Sequence, residues 1–196
     1  MIIAPAVAGF EKIASRTGWL ADLYSLPYKK VLSREIGLAG ITDKDSVLNI
    51  GCGAIPFSAV YIARITGARV FAVDSDPAAA ECAEKCIKTL GLEERISVHN
   101  FSGEKPGSCR NFSDASIALV ALQARPKRDI IRRLFDECGP GIRVIVRKPL
   151  SRLASQYDLL PGEFKVIGSV SQNMKTFRAS VLYTGESLSE VVGESA

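Results

Sequence analysis

The stretch VLNIGCGAIPFSAV, at Val47–Val60, decides the fold of this chain. An apolar, strand-like run leads into two glycines that stand one residue apart, and a proline and a helix-like segment follow. Glycine lets the backbone turn tightly and lets a ligand lie directly against it, and the first turn of the next helix offers free amide groups. The stretch therefore predicts a strand, a ligand-binding loop and a helix, in that order.

Strand-like and helix-like segments alternate through the middle of the chain. Strands are predicted at Val47–Ile50, Arg69–Val73, Ile96–Asn100, Ala115–Ala121 and Arg143–Arg147, and helices over Phe57–Thr66, Ala78–Leu90 and Lys127–Glu137. Such alternation is typical of βαβ units, so we expect an α/β fold with a mostly parallel, doubly wound sheet. Two β-rich runs with no helix between them, Phe164–Ser171 and Thr176–Thr184, predict an antiparallel pair at one sheet edge.

The two ends of the chain are predicted to differ from this core. Residues 1–40 read as helical over Phe10–Ala39, with an interruption near Pro27, and are expected to form a lid segment of the same domain. Residues 41–185 are expected to form the ligand-binding core, and the polar, acidic segment 186–196 a flexible tail. A length of 196 residues suits a single α/β domain.

Composition excludes several classes of protein. Apolar residues make up 47% and charged residues 23%, which is ordinary for a soluble globular chain, and the net charge of +4 suits an anionic ligand without favouring nucleic acid. No run of eighteen apolar residues occurs, so no membrane span is expected. The odd number of cysteines and the absence of CxxC spacing indicate free thiols in a cytoplasmic protein, with no metal site, at Cys52, Cys82, Cys86, Cys109 and Cys138.

An acidic residue follows the glycine loop at the spacing of a ribose-binding carboxylate. The second strand ends in Asp74, twenty-one residues after Gly53, where a carboxylate can accept two hydrogen bonds from a ribose. The alternative of a helix cap fits Asp76 better, because Pro77 would then occupy the first helical position. The loop and the acid together predict an adenosine-containing cofactor.

Adenosine-containing cofactors with and without phosphate groups are distinguished by the residue at the third glycine position of the loop. The dinucleotide fingerprint asks for a third glycine where this chain has Pro56, which favours a ligand without phosphates. VLNIGCG followed by FAVDSDP also resembles the first two motifs of class I S-adenosylmethionine-dependent methyltransferases, usually VLDIGCG and then VD-x-[SD]-P. The resemblance implies a Rossmann-like fold and S-adenosylmethionine as cofactor, with Asn49 replacing the usual aspartate.

Three further stretches resemble nicotianamine synthase and its archaeal relatives: PYKKVLSREIGLAGI, GAIPFS and ALVALQARPKRDIIRRLFDECGPGIRVIVRKPL. That family uses the methyltransferase fold but transfers the aminocarboxypropyl group of S-adenosylmethionine onto an amine. The resemblance covers the core domain only, from about Pro27 to Tyr183, and the family's additional N-terminal helical domain is not expected here. Its Gly-x-Gly-x-x-Pro-x-[ST] loop is unusual among methyltransferases.

This resemblance implies roles for individual residues. Tyr28 opens the pattern Y-x-x-L-x-x-x-E, which has Val31 in place of leucine and ends in Glu35. Tyr28 and Glu35 are the catalytic candidates, although Tyr28 could equally be an aromatic lid on the cofactor. Arg147 would pair with a substrate carboxylate, with a plain surface charge as the alternative. The implied cofactor-binding residues are Asn49, Gly51, Gly53, Pro56, Ser58, Asp74, Ser102 and Ala121, with Glu104 as an alternative to Ser102.

Two other features are expected to be structural. His99, the single histidine, falls at a predicted strand end. We expect it to have no catalytic role there, whether its side chain is buried and hydrogen-bonded or lies on the surface. The basic run of the fourth predicted helix has apolar residues interleaved at helical spacing, which is typical of the solvent face of an amphipathic helix. That run consists of Lys127, Arg128, Arg132 and Arg133.

Three functions stay open at this point. The first is aminocarboxypropyl transfer from S-adenosylmethionine to a small amine or amino-acid-derived acceptor. A small-molecule methyltransferase is a close rival, because both reactions displace sulfur from a carbon next to the sulfonium. The third is a non-catalytic S-adenosylmethionine-binding or interaction subunit. A second copy of the chain or a partner subunit would then cover the N-terminal face.

Overall fold

The computed structural model describes residues 18–105, 107, 109–153 and 156–185, and for residues 18–27 the backbone only. The first part of the helix predicted from Phe10 and the predicted tail at 186–196 lie outside the described residues. The helices are α1 at Gly18–Ala39, α2 at Phe57–Thr66, α3 at Pro77–Thr89 and α4 at Lys127–Cys138. The strands are β1 at Ser46–Ile50, β2 at Arg69–Asp74, β3 at Ile96–Asn100, β4 at Ile117–Val120, β5 at Arg143–Pro149, β6 at Lys165–Ser171 and β7 at Phe177–Thr184.

The seven strands form one sheet in the order β3-β2-β1-β4-β5-β7-β6. The first five pair in parallel, and β7 runs antiparallel between β5 and β6. The predicted parallel, doubly wound sheet with an antiparallel C-terminal pair is confirmed. The strand order reverses between β1 and β4, and ligands bind beyond the carboxyl ends of the strands at such a reversal.

Helices cover both faces of the sheet. Side chains of β1 alternate, so that Val47 packs among residues of α1 and α2 while Leu48 and Ile50 pack under α4. The same alternation places Asn49 on the α1 and α2 face, where it is buried. Each face therefore has its own apolar cluster, and the carboxyl ends of the central strands open between them.

Helix α1 runs without a break through Pro27, so the predicted interruption is wrong. A proline inside a helix removes one backbone hydrogen bond and costs about 3 kcal/mol or more. In the next turns Val31 and Leu32 are almost fully buried against the sheet and its loops. Because burying an aliphatic side chain contributes about 1.5–3 kcal/mol, this packing offsets the loss and the helix continues.

Candidate functional site

The glycine loop closes over the end of β2. Gly51 and Gly53 have φ of 78° and 70°, a backbone region that favours glycine. The Gly51 amide donates to the carbonyl oxygen of Val73 at 2.8 Å, and the Gly53 amide donates to Asp74 Oδ2 at 2.8 Å. Asp74 Oδ1 accepts the Asp76 amide at 3.0 Å, so one carboxylate organises both the loop and the start of α3. Asp76 itself accepts from the Ala78 amide, and the prediction that it is the helix cap is confirmed.

The two glycines have different surroundings. A Cβ atom on Gly51 would lie 3.0 Å from the Cβ of Ala121 and 3.6 Å from the Cβ of Ala124, so Gly51 permits close packing with the segment after β4. A Cβ atom on Gly53 would meet nothing within 4 Å. Gly51 is therefore explained by packing and backbone conformation, whereas Gly53 faces open space beside the loop.

A cavity of about 180 Å³ lies where these strands end. Asp74 forms one polar wall, and Ser102 and Glu104, which are hydrogen-bonded to each other, form another. Phe101 and Ile130 supply apolar surface. The cavity stands at the reversal of strand order, where an α/β sheet binds its ligand. The sequence analysis did not predict that Phe101 and Ile130 line the cavity. Phe101 directly follows β3 and Ile130 lies in the first turn of α4, and these positions could have indicated it.

A buried ion pair lies on the other face of the sheet. Arg147 Nε donates to Glu35 Oε1 and Arg147 Nη2 donates to Glu35 Oε2, each at 2.9 Å, in a two-pronged arrangement. Glu35 is 1% exposed and Arg147 6%. Burial alone would lower the pKa of Arg147, but the Glu35 carboxylate raises it above its ordinary value, so the guanidinium stays charged. The alternative of a plain surface charge at Arg147 is wrong.

Side chains from three elements, α1, α2 and β7, surround this pair. Ser180 Oγ on β7 donates to Glu35 Oε1 at 2.6 Å, and Ser58 Oγ at the start of α2 accepts from Arg147 Nη2 at 3.4 Å. The Arg147 Cζ atom lies 5.8 Å from the ring centroid of Tyr28 and 5.5 Å from that of Phe177, within range of cation–π attraction. The pair thus ties α1 to α2, the helix that follows the glycine loop, and to the neighbouring strands β5 and β7.

The structure brings the catalytic candidates Tyr28 and Glu35 together around the Arg147 guanidinium, in surroundings that the sequence did not predict. Both carboxylate oxygens of Glu35 and the Nε and Nη2 atoms of Arg147 are used in this pairing, and both side chains are buried. Ser180 and Phe177 belong to the segment TFRAS and were not predicted from the sequence. The chemical roles of Tyr28, Glu35 and Arg147 stay predictions.

The remaining predicted cofactor residues surround the glycine loop. Asn49 Nδ2 donates to the Leu119 carbonyl oxygen at 3.4 Å, but the buried Oδ1 atom has no hydrogen-bond partner among the described residues. Pro56 is buried and its carbonyl oxygen accepts from the Val60 amide in the first turn of α2. The Ala121 amide donates to the Ile50 carbonyl oxygen at 2.9 Å, which continues the β1–β4 pairing to the loop.

His99 and the cysteines lie in other settings. His99 Nε2 is 2.9 Å from Ser97 Oγ, its ring meets that of Phe112 edge-on, and burial lowers its pKa. Burial and the nearby charge of Asp74 raise the pKa of the Cys52 thiol to about 12, so Cys52 is no nucleophile at neutral pH. Within the described ranges no three His, Cys, Asp or Glu side chains are grouped to hold a metal ion, and no described helix has the length and hydropathy to cross a membrane.

One residue of the predicted solvent face of α4 is buried. Arg128 and Arg132 are exposed and contact Glu163, as an amphipathic helix predicts, but Lys127 is fully buried. Its ammonium donates to the carbonyl oxygens of Leu122 at 2.7 Å and Ala124 at 3.1 Å. The prediction for Lys127 is wrong because it occupies the first residue of α4, where its side chain turns back under the preceding loop.

Sequence relatives of this chain are transferases. No family model matches it. Over 75 residues it is 39% identical to L-histidine 2-aminobutanoyltransferase of Yersinia pestis, a match covering 38% of this chain and 28% of the relative. Over 113 residues it is 31% identical to the protein of that name from Pseudomonas aeruginosa, covering 58% and 42%. These matches therefore span less than half the length of the curated relatives.

Solved structures share the fold over most of the chain. A single-residue variant of MtNAS in complex with S-adenosylmethionine superposes with a TM-score of 0.71 at 24% identity, over 84% of this chain and 64% of that one. A SAM-dependent methyltransferase from Aquifex aeolicus superposes with a TM-score of 0.62 at 18% identity, over 87% and 97%. With its strand order and these neighbours, the chain has the Rossmann-like fold of class I S-adenosylmethionine-dependent methyltransferases.

Proposed function

We propose that this chain binds S-adenosylmethionine at the carboxyl ends of β1, β2 and β4 and transfers its aminocarboxypropyl group to a small amine or amino-acid-derived acceptor. The observation that carries the proposal is the glycine loop bound to Asp74 at the mouth of the cavity. A carboxylate held in this way by a backbone amide has one orientation before any ligand arrives. Preorganisation of this kind lowers the free-energy cost of binding.

Other described residues fit the same ligand. The unpartnered Oδ1 of Asn49 is a buried acceptor that suits an ammonium group, because a buried polar atom without a partner costs free energy. Each carboxylate oxygen of Asp74 accepts one amide and keeps a lone pair for a ribose hydroxyl. Gly53 leaves open space beside the loop, and Ser102 would contact the adenine.

Support for the choice of cofactor and acceptor comes from two sources. Pro56 stands where a dinucleotide site would have its third glycine, which disfavours a pyrophosphate. The curated relatives are named for transfer of a 2-aminobutanoyl group to L-histidine, and that name favours an amino-acid-derived acceptor here. Residues 41–185 would form the S-adenosylmethionine-binding core, and residues 1–40 its lid.

When bound, S-adenosylmethionine would supply an electrophilic carbon beside its sulfonium, with methylthioadenosine as the leaving group; a neutral acceptor amine that gains the new carbon–nitrogen bond would become an ammonium as the sulfur loses its charge. The chain's own residues would position the acceptor and exclude water. The Glu35–Arg147 pair would hold α1 against the sheet, and so would keep the ring of Tyr28 beside the guanidinium. Tyr28 would hydrogen-bond the acceptor amine, with Glu35 and Arg147 as positioning residues.

The identity of the released nucleoside distinguishes the proposed reaction from methyl transfer. The purified chain would be incubated with S-adenosylmethionine and single amino acids, including L-histidine, and the products analysed by mass spectrometry. We expect methylthioadenosine and an acceptor that carries an aminocarboxypropyl group. S-adenosylhomocysteine would assign methyl transfer instead. Turnover of no acceptor despite S-adenosylmethionine binding would favour the non-catalytic binding subunit.

Location and partners complete the proposal. None of the described cysteines forms a disulfide bond, which supports a cytoplasmic protein. The acceptor would be a small molecule, and neither a membrane nor nucleic acid is part of the proposal. A second copy of the chain or another subunit would cover the N-terminal face if the acceptor site needs a further wall.

Two alanine substitutions test whether Gly51 serves packing and Gly53 serves ligand binding. Both positions have positive φ, so Gly51→Ala and Gly53→Ala share a backbone cost of about 1–2 kcal/mol. Gly51→Ala also forces its methyl against Ala121, which adds about 1–3 kcal/mol of overpacking. We expect denaturant unfolding to show the larger loss of stability for Gly51→Ala.

S-adenosylmethionine titration of the same two variants gives the complementary result. The methyl group of Gly53→Ala would stand in the open space beside the loop, so we expect weaker binding at a smaller cost in stability. Equal losses of stability in both variants, or unchanged affinity in Gly53→Ala, would contradict the assignment of Gly53 to the ligand.

A further inference from the structure

Lys127 carries a buried ammonium group that none of the roles above uses. Its side chain is fully buried at the first residue of α4. Nζ donates to the carbonyl oxygens of Leu122 at 2.7 Å and Ala124 at 3.1 Å, and the main-chain amide of Lys127 donates to Asp158 Oδ2 at 3.0 Å. Lys127 therefore binds two carbonyl oxygens of the segment between β4 and α4, and its main-chain amide connects the start of α4 to Asp158.

A cation at this position is unfavourable by itself. Burial lowers the pKa of Lys127, although the charge of Asp158 opposes that shift. The first turn of a helix also carries a partial positive charge, which repels an ammonium group. Hydrogen bonds from a charged donor to carbonyl oxygens are stronger than those between neutral groups, and here they offset the cost of burial. An apolar side chain of similar length would fill the space without the charge but would leave both carbonyls unpaired.

The segment that Lys127 holds is a wall of the ligand cavity. Gln123, Ala124 and Arg125 all line the cavity, across from Asp74. The Ala124 amide donates to the Ala121 carbonyl oxygen at 3.2 Å, which closes a tight turn. A Cβ atom on Gly51 would lie 3.6 Å from the Cβ of Ala124, so this turn packs directly on the glycine loop. The carbonyls bound by Lys127 thus belong to the turn that sets the spacing between the two walls.

We infer that Lys127 is a positioning residue of the cofactor pocket, which holds the turn at 121–125 against the glycine loop so that the cavity is formed before the ligand binds. The identity of the ligand rests on the proposed function, whereas the ordering of the turn does not. Order in the unliganded turn lowers the entropy lost on binding, so its loss is expected to weaken affinity.

Two substitutions of Lys127 and one matched control test this role in the full chain. Lys127→Met keeps the length of the side chain and removes every donor, whereas Lys127→Gln keeps an amide that can bind one of the two carbonyls. Arg132→Met removes an exposed cation from the same helix and serves as the control. Amide hydrogen exchange of the unliganded proteins would report on the turn at 121–125, and calorimetric titration would report on S-adenosylmethionine affinity.

We expect Lys127→Met to lose protection in the turn at 121–125 while the sheet stays protected, and to weaken S-adenosylmethionine binding by about 10- to 100-fold. Lys127→Gln is expected to lie between Lys127→Met and the wild type in both measurements, and Arg132→Met to match the wild type. If Lys127→Met does not fold, Lys127→Gln carries the comparison.

Three results would overturn the inference. They are unchanged exchange in the turn, loss of protection spread evenly over the whole chain, and wild-type affinity in both variants with a disordered turn. Failure of the wild-type chain to bind S-adenosylmethionine would count against the proposed function, and hydrogen exchange would still decide whether Lys127 orders the turn.

Discussion

Asp74→Ala is expected to raise the dissociation constant for S-adenosylmethionine by about 100-fold or more. The substitution removes the acceptors proposed for the ribose hydroxyls, and it also removes the partner of the Gly53 amide. Hydrogen bonds to a charged group contribute about 1.5–3 kcal/mol each, so losing two of them gives an effect of this size. Calorimetric titration of the variant and the wild type would measure it.

Asp76→Ala is the matched control for this prediction. Asp76 lies two residues further along and accepts the Ala78 amide at 2.9 Å as the cap of α3. Loss of a helix cap costs about 1 kcal/mol of stability, and the affinity for S-adenosylmethionine should change little. Equal weakening of binding by Asp76→Ala and Asp74→Ala, or normal binding by Asp74→Ala, would contradict the role given to Asp74.

Arg147→Met is expected to lower the free energy of unfolding by about 3–5 kcal/mol, because it leaves Glu35 buried without its partner. The double variant Glu35→Leu with Arg147→Met is expected to recover much of that loss. Replacing both members of a buried ion pair by apolar side chains removes the cost of burying the charges. Urea unfolding at neutral pH would measure each variant.

Activity separates the two roles of this pair. The double variant is expected to fold but to lose the proposed transferase activity, because Tyr28 would no longer be held beside a guanidinium. Arg128→Met, which breaks an exposed contact with Glu163, is the control and should change stability little. A double variant that is less stable than Arg147→Met, or one that keeps full activity, would contradict a positioning role.

Most features that were predicted correctly follow from local patterns in the sequence. The glycine loop and Asp74 are twenty-one residues apart on consecutive strands, and their arrangement follows from the alternation of strands and helices. The same alternation predicted the parallel sheet and the antiparallel C-terminal pair. These features depend on contacts between neighbours in the sequence or between adjacent strands, which periodicity and turn residues encode directly.

Contacts between distant parts of the chain could not be predicted in the same way. Glu35 and Arg147 were each singled out, but their mutual bond joins residues 112 positions apart, and Ser180 lies 145 positions from Glu35. Lys127 shows the same limit, because a lysine in an amphipathic pattern indicates exposure unless the preceding loop folds over it. The cofactor side of the site was accordingly predicted in more detail than the acceptor side.

The most direct test of the account is a calorimetric titration of the unmodified chain with S-adenosylmethionine, with NAD titrated in parallel. The glycine loop, the Asp74 carboxylate and the unpartnered Asn49 oxygen predict binding of S-adenosylmethionine in the micromolar range. Pro56, in place of the third glycine of a dinucleotide site, predicts no measurable binding of NAD. Absence of S-adenosylmethionine binding, or an equal affinity for NAD, would contradict the central claim.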